Sequence, residues 1–107
     1  MELKDIVGPE AVFSRLNATS KKHLLQELAQ RAEDVLGVNS RTAFDAMLER
    51  ERLGATGMGH GVAIPHARIA GLKGIAGIFA ALQKPIEFEA VDNEPVDLVF
   101  ALLAPED

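Results

Sequence analysis

The stretch Leu53-Gly-Ala-Thr-Gly-Met-Gly-His-Gly-Val-Ala-Ile-Pro-His66-Ala-Arg68 is the part of this chain that decides its fold. Four of the eight residues 54–61 are glycine, which allows positive φ and close backbone approach. Such a loop can surround an anion with its N–H groups. The apolar run 62–64 is typical of a short buried strand that Pro65 ends. The pattern therefore predicts a reactive His66, just past a strand end and facing the glycine loop.

The composition limits the class of protein. With 107 residues, 48% of them hydrophobic, we expect one domain over residues 1–107 and a layered core. The net charge is −5 and no basic run exceeds Lys21-Lys22, which argues against a nucleic-acid partner or an anionic membrane surface. The absence of cysteine excludes disulfides and cysteine zinc sites. No signal peptide or apolar run of about 18 residues occurs, so a cytoplasmic protein without membrane insertion is predicted.

The first helix is predicted to run from Lys21 to Leu36. Thr19 or Ser20 can serve as its N-cap, and Gly37 stands where a C′ glycine is common. Its apolar residues recur at helical spacing, and they are Leu24, Leu25, Leu28, Ala29, Ala32, Val35 and Leu36.

A second helix is predicted to start after Asn39 or Ser40, either of which can cap it, and to end at Gly54. Its apolar stripe is expected to be core and consists of Ala43, Phe44, Met47 and Leu48. The run Glu49-Arg50-Glu51-Arg52 forms its last turns and, by itself, would be a solvated helix face.

Four further segments have the pattern of β-strands. Residues 12–17 alternate roughly, and 74–82 and 96–104 are apolar. Residues 85–89 alternate like an edge strand or a hairpin arm, and 92–95 form a turn. The last strand is apolar on both parities, which predicts that both of its faces are covered.

Two long helices cannot cover both faces of such a sheet, and the sequence stops at Pro105-Glu106-Asp107, directly after the most apolar strand. We therefore expect a domain truncated at its C-terminus, whose missing part supplies more helix. A homodimer, in which a second copy covers the bare face, is the alternative.

His66 is the residue to which chemistry is assigned. A neutral imidazole can accept a phosphoryl group near neutral pH, with one nitrogen aimed at phosphorus and the other donating to a carbonyl. Phosphoryl transfer depends chiefly on positioning and charge stabilisation, so donors must hold the phosphoryl oxygens. The glycine loop can supply such donors, as can Arg50 or Arg52 from the end of the preceding helix. A structural, hydrogen-bonded histidine is the alternative.

The other histidines have weaker assignments. His60 lies six residues before His66, a spacing that does not put two metal ligands on one face of a helix. No metal site is therefore predicted, and His60 is expected at the pocket rim. His23 is expected to be an ordinary helix residue. The glycines match neither a Walker loop nor a dinucleotide fingerprint, so no cofactor is expected.

The segment from Leu48 to His66, with its Glu-Arg-Glu-Arg-Leu-Gly-Ala-Thr-Gly and Ala-Ile-Pro-His elements, resembles the signature of bacterial phosphotransferase-system enzyme IIA domains of the fructose, mannitol and nitrogen-regulatory type. The resemblance extends over essentially all 107 residues, and the sequence of this segment is most similar to the nitrogen-regulatory member. It implies an α/β fold, with a mixed central sheet and helices on both faces. The family domain usually continues into a helical part with a second active-site histidine, which this sequence lacks.

The resemblance also implies roles for individual residues. His66 corresponds to the phosphoryl acceptor, charged by a phosphohistidine of an HPr-like carrier protein, and Arg50 to the arginine that steadies the phosphohistidine. Thr56 matches a hydroxyl position near the site. The remaining residues assigned to the phosphate pocket are Gly59, His60, Gly61 and Pro65.

Three functions follow from the resemblance. The first is a phosphocarrier whose phosphorylation state regulates transporters or sensor kinases. The second is a sugar-specific component that passes phosphate to a IIB domain for fructose or mannitol. The third is a non-catalytic binding module of the same fold.

Overall fold

The computed structural model describes residues 3–106. Its elements in chain order are α1 (Leu3–Ile6), a 3₁₀ turn (Pro9–Ala11), β1 (Val12–Leu16), α2 (Lys21–Leu36), α3 (Ser40–Leu53), β2 (Gly57–Gly59), β3 (Val62–Ala63), β4 (His66–Ile69), β5 (Ala76–Ile86) and β6 (Val96–Pro105). Among these residues, no helix is both long and apolar enough to cross a bilayer.

The strands form one mixed sheet in the order β1-β5-β6-β3-β2, with β4 also paired to β6. The two long strands β5 and β6 are antiparallel and form its centre. Strand β1 joins β5 in parallel, while β3 and β4 lie one after the other along β6, both parallel to it. The predicted α/β fold with a mixed central sheet is confirmed.

The long helices begin and end where the sequence predicts, because their caps are local. The Ser20 hydroxyl accepts a hydrogen bond from the backbone N–H of His23, at 3.1 Å, and starts α2. Gly37, at φ 75°, adopts the left-handed conformation that closes the helix. The Asn39 side chain accepts from the N–H of Thr42 at 3.0 Å and starts α3.

The core lies between the apolar stripes of the helices and one face of the sheet. On β6 the buried row is Val99, Ala101 and Leu103, each 0% exposed. The other row is only partly covered, and Leu98 remains 39% exposed. The second row of β6, for which the sequence predicts cover from outside the two long helices, is therefore only partly covered by the described residues. When a strand has apolar residues at both its odd and its even positions, the sequence does not show which of its faces the helices cover.

The partly covered face receives some cover from the N-terminal segment. A side chain added at Gly77 would begin 2.8 Å from Phe100, 2.9 Å from Val7 and 3.1 Å from Ile6. The close approach of these three side chains explains why a glycine occupies this position near the start of β5.

Two strand predictions need correction. Residues 85–89 are not a separate strand, because β5 continues through Pro85 to Ile86 across a register shift, where the missing proline N–H is tolerated. The following Phe88 is fully buried, as a loop side chain that fills the core. Residues 57–59, predicted as loop, form β2, and His66 starts β4 rather than lying in a loop past a strand end.

Candidate functional site

His66 is the first residue of β4 and is half-buried. Its Nδ1 lies 2.9 Å from the carbonyl oxygen of Ile64, and its Nε2 lies 3.0 Å from Nε of Arg50. Because a carbonyl only accepts and a guanidinium only donates, Nδ1 carries the proton and Nε2 presents its lone pair. This contact pattern is that of a neutral imidazole whose unprotonated nitrogen is Nε2.

Arg50 reaches His66 from the last turn of α3, the helix that packs against β4. Its Nη1 also donates to the carbonyl oxygen of Gly54 at 2.8 Å, so the guanidinium is held at two points. Arg52, the other arginine considered from the sequence, is exposed and pairs with Glu49 at 3.3 Å. The structure therefore brings Arg50, and not Arg52, to the imidazole.

A cleft of about 550 Å³ opens beside His66, between α3 and the partly covered face of the sheet. Its lining is mainly apolar, with charged groups at the imidazole, and consists of Ala46, Glu49, Arg50, Leu53, His66, Ala67, Arg68, Leu102 and Ala104. A second guanidinium, that of Arg68, thus lines the cleft with Arg50. No role for Arg68 follows from the sequence pattern, because only the strand conformation of β4 puts residues two apart on one face.

Thr56 is buried behind this site rather than in the cleft. Its backbone N–H and its hydroxyl both donate to the carboxylate of Glu51, with 3.0 Å from the nitrogen to each oxygen. Its carbonyl oxygen accepts from the N–H of Ile64 at 3.0 Å. Glu51, which the sequence places on a solvated face, is 8% exposed and is a buried partner of Thr56.

The glycine segment does not face His66. Strands β2 and β3 form a hairpin, and its two-residue turn, His60 and Gly61, has φ of 56° and 80°. A type I′ turn requires positive φ at both positions. This requirement accounts for Gly61, and it puts His60 in a conformation that few side chains adopt. Val62 pairs with Leu98 and His66 with Leu102, four residues further along β6, a separation of about 13 Å.

Acidic residues hold this hairpin turn in place. The N–H of His60 donates to Oδ2 of Asp92 at 2.9 Å, and the carbonyl oxygen of Gly61 accepts from the N–H of Asp97 at 3.0 Å. The hydrogen bond from His60 and a second one from the N–H of Glu94 hold the pKa of Asp92 below its ordinary value. Gly59, His60 and Gly61, which the sequence assigns to the phosphate pocket, do not line the cleft beside His66.

Pro65 lies in the chain between β3 and β4, the two short strands that pair with β6. It is buried, and its carbonyl oxygen accepts from the N–H of Leu102 at 2.8 Å. It directly precedes His66, the residue at which β4 begins. Among residues 3–106, no three His, Cys, Asp or Glu side chains converge in a way that could hold a metal ion.

Comparison with known proteins identifies the family of this chain. The sequence profile of the family described as phosphoenolpyruvate-dependent sugar phosphotransferase system, EIIA 2, matches residues 5–107. The chain belongs to this family. A nitrogen regulatory protein of Bradyrhizobium diazoefficiens is 52% identical to this EIIA 2 chain over 106 residues, which cover 99% of the chain and 69% of that relative.

Solved structures agree. Nitrogen regulatory protein IIA-Ntr from Neisseria meningitidis matches this EIIA 2 chain with a TM-score of 0.91 and 37% identity, over 98% of the chain and 72% of that structure. The complex of enzyme IIA mannitol with phosphorylated enzyme IIB mannitol from Escherichia coli matches with a TM-score of 0.78 and 20% identity, over 94% of the chain and 71% of that one. The second likeness concerns the fold alone. The family resemblance read from the sequence is confirmed.

Proposed function

We propose that this chain is a phosphocarrier of the nitrogen-regulatory type, which accepts a phosphoryl group on Nε2 of His66 from a phosphohistidine of an HPr-like protein. The observation that supports this role is the contact pattern of the imidazole. Nδ1–H is held by the Ile64 carbonyl, and the opposite nitrogen is directed at a guanidinium across 3.0 Å. An oriented neutral imidazole next to a bidentate cation has the components that phosphoryl transfer requires.

In the proposed step, the P–N bond of the donor phosphohistidine breaks as a P–N bond to Nε2 of His66 forms. The lone pair that attacks phosphorus is the one that accepts the hydrogen bond from Arg50. That bond must therefore open before attack, and the released N–H groups of Arg50 then bind the phosphoryl oxygens. The donor ring, protonated on its other nitrogen, leaves as a neutral imidazole with the electron pair of the broken P–N bond, and the positive ring charge passes to His66, which keeps Nδ1–H.

Arg68 is the second group proposed to stabilise the transferred phosphoryl group. It lies two residues after His66 on the same strand face and lines the same cleft. The hairpin turn lies beyond Val62, which is itself about 13 Å from His66 along β6, so in this proposal the guanidinium groups replace the glycine N–H donors expected from the sequence.

Similarity favours the nitrogen-regulatory branch. The identity is 52% to a nitrogen regulatory protein, whereas the likeness to the mannitol protein is one of fold. We propose that phosphorylation of His66 changes the binding of this protein to transporters or sensor kinases.

The test is a phosphotransfer assay with phosphoenolpyruvate, Enzyme I and an HPr-type carrier. The expected result is an acid-labile gain of one phosphoryl mass on a peptide containing His66, and no gain in His66→Ala. Adding purified IIB domains for fructose or mannitol checks the branch, since rapid onward transfer would favour the sugar-specific function. Absence of any gain on the intact protein would contradict the phosphocarrier role and favour a non-catalytic binding module.

A further inference from the structure

The carboxylate of Glu51 is buried in a part of α3 that is otherwise exposed. Its side chain is 4% exposed, although the neighbouring Arg52 and Glu49 are open to solvent. A buried carboxylate is costly unless hydrogen bonds and an opposite charge satisfy it. Glu51 receives the N–H and the hydroxyl of Thr56, and an ion pair from Lys21 at 3.4 Å.

The cation is also held in place. Lys21 is the first residue of α2, and its side chain is 19% exposed. Its Nζ lies 4.8 Å from the centre of the Phe88 ring and 3.3 Å from a carboxylate oxygen of Glu89. Glu51 is thus fixed from two sides, by the start of α2 and by the segment that follows α3.

From Glu51 a chain of hydrogen bonds leads to the imidazole. Glu51 holds the N–H of Thr56, and the Thr56 carbonyl accepts the N–H of Ile64 at 3.0 Å. The carbonyl of Ile64 accepts Nδ1–H of His66 at 2.9 Å. We propose that Glu51 is a positioning residue, which acts through Thr56 and Ile64 to hold His66 in its Nδ1–H tautomer, with Nε2 unprotonated.

The same turn positions Arg50. The carbonyl oxygen of Glu51 accepts the N–H of Gly54 at 3.1 Å, and the carbonyl oxygen of Gly54 accepts Nη1 of Arg50 at 2.8 Å. Anchoring the segment 54–56 through the Glu51 carboxylate therefore sets both partners of the contact between Arg50 and His66. Partner groups behind a reactive histidine commonly fix its tautomer and orientation in this way.

The first test is Glu51→Gln, read by the ring ¹⁵N chemical shifts of His66, which distinguish protonated from unprotonated nitrogen. The wild type is expected to show one tautomer, with the proton on Nδ1, and the variant a mixture of both. This readout does not depend on phosphotransfer. Asp45→Asn is the matched control, because Asp45 is an exposed carboxylate of the same helix, paired with Arg41.

The rate of phosphoryl acceptance, which rests on the proposed function, is the second readout. In Glu51→Gln we expect kcat to fall by about ten- to a hundredfold, since small displacements of a reacting group have effects of this size. The KM for the phosphorylated carrier should not change, because Glu51 is buried and does not touch the carrier.

Thr56→Val and Thr56→Ser provide the test if Glu51→Gln does not fold. Valine keeps the shape of threonine but loses the hydroxyl bound to Glu51, whereas serine keeps that hydroxyl. We expect a mixed tautomer in Thr56→Val and the wild-type tautomer in Thr56→Ser. Folded Glu51→Gln and Thr56→Val proteins that keep a single Nδ1–H tautomer would overturn the proposal. If the wild type accepts no phosphoryl group but the tautomer shifts as described, the proposed function fails and the positioning role of Glu51 stands.

Discussion

Nε of Arg50 and Nε2 of His66 are 3.0 Å apart, although the two residues are sixteen positions apart in sequence. This hydrogen bond occupies the lone pair that would attack phosphorus in the proposed transfer, so Arg50 would stabilise the phosphoryl charge only after the bond opens. The proposed role of Arg50 therefore differs before and during transfer. Its substitution should affect the rate of transfer more than the fold.

Arg50→Ala is expected to slow phosphoryl acceptance by about a hundredfold, because a donor to the developing phosphoryl charge is lost. Arg50→Lys should recover only part of the rate, since lysine keeps the charge without the bidentate fork. Rapid-quench phosphotransfer with circular dichroism as a fold check measures both. Arg52→Ala is the matched control, since Arg52 is exposed and its described ion pair is with Glu49 of the same helix. Equal rates for Arg50→Ala and Arg52→Ala would remove Arg50 from the site.

Arg68→Ala is expected to reduce the rate about tenfold at low ionic strength, as it removes the second cation of the cleft. The difference from wild type should shrink as salt is added, because Arg68 is exposed and its charge is screened. Initial rates over a salt series provide the measurement, with the exposed Lys84→Ala on β5 as the control for net charge. A reduction equal to that of Lys84→Ala at every salt concentration would count against a role for Arg68.

Gly57→Ala is expected to lower the free energy of unfolding by about 1–3 kcal/mol through overpacking. Its Cβ would lie 2.7 Å from the Cα of Ala90, a backbone atom that cannot move aside cheaply. Urea unfolding followed by circular dichroism measures the change. Gly74→Ala is the control, since a Cβ there would meet no described residue within 4 Å. Similar urea midpoints for the two variants would show that the backbone around β2 accommodates the added methyl group without strain.

Glu33→Gln is expected to destabilise the protein at neutral pH and to have progressively less effect in acid. The N–H of Ser40, at the start of α3, donates to Glu33 at 2.9 Å and is the main reason that the pKa of Glu33 is lowered from 4.5. A lowered pKa in the folded state means that this stabilisation is complete above about 4.5 and is lost as the pH falls through the lower folded value.

Urea unfolding of Glu33→Gln and wild type at about pH 7 and about pH 3 measures the effect. Glu94→Gln is the control, because no hydrogen bond or ion pair of the Glu94 side chain to another described residue is present. A constant difference between Glu33→Gln and wild type at both pH values would exclude the charge of Glu33 as its cause.

The sequence by itself determined the two long helices and the identity of the central residues. Helix periodicity and caps such as Ser20, Gly37 and Asn39 are local, since each acts within one turn of the chain. The elements around the Pro-His pair are distinctive enough to indicate the family and to single out His66 and Arg50.

Only the tertiary structure decided what surrounds those two residues. Strand β4 exists because His66 pairs with Leu102, a partner far away in sequence that no local pattern reveals. The glycine segment became a hairpin because acidic residues such as Asp92, distant in sequence, hold its turn. The burial of Glu51 depends on Lys21 from another helix, so a residue that looks solvated in the sequence lies directly behind the site. Non-local contacts of this kind set burial and partners, whereas local patterns set only the elements.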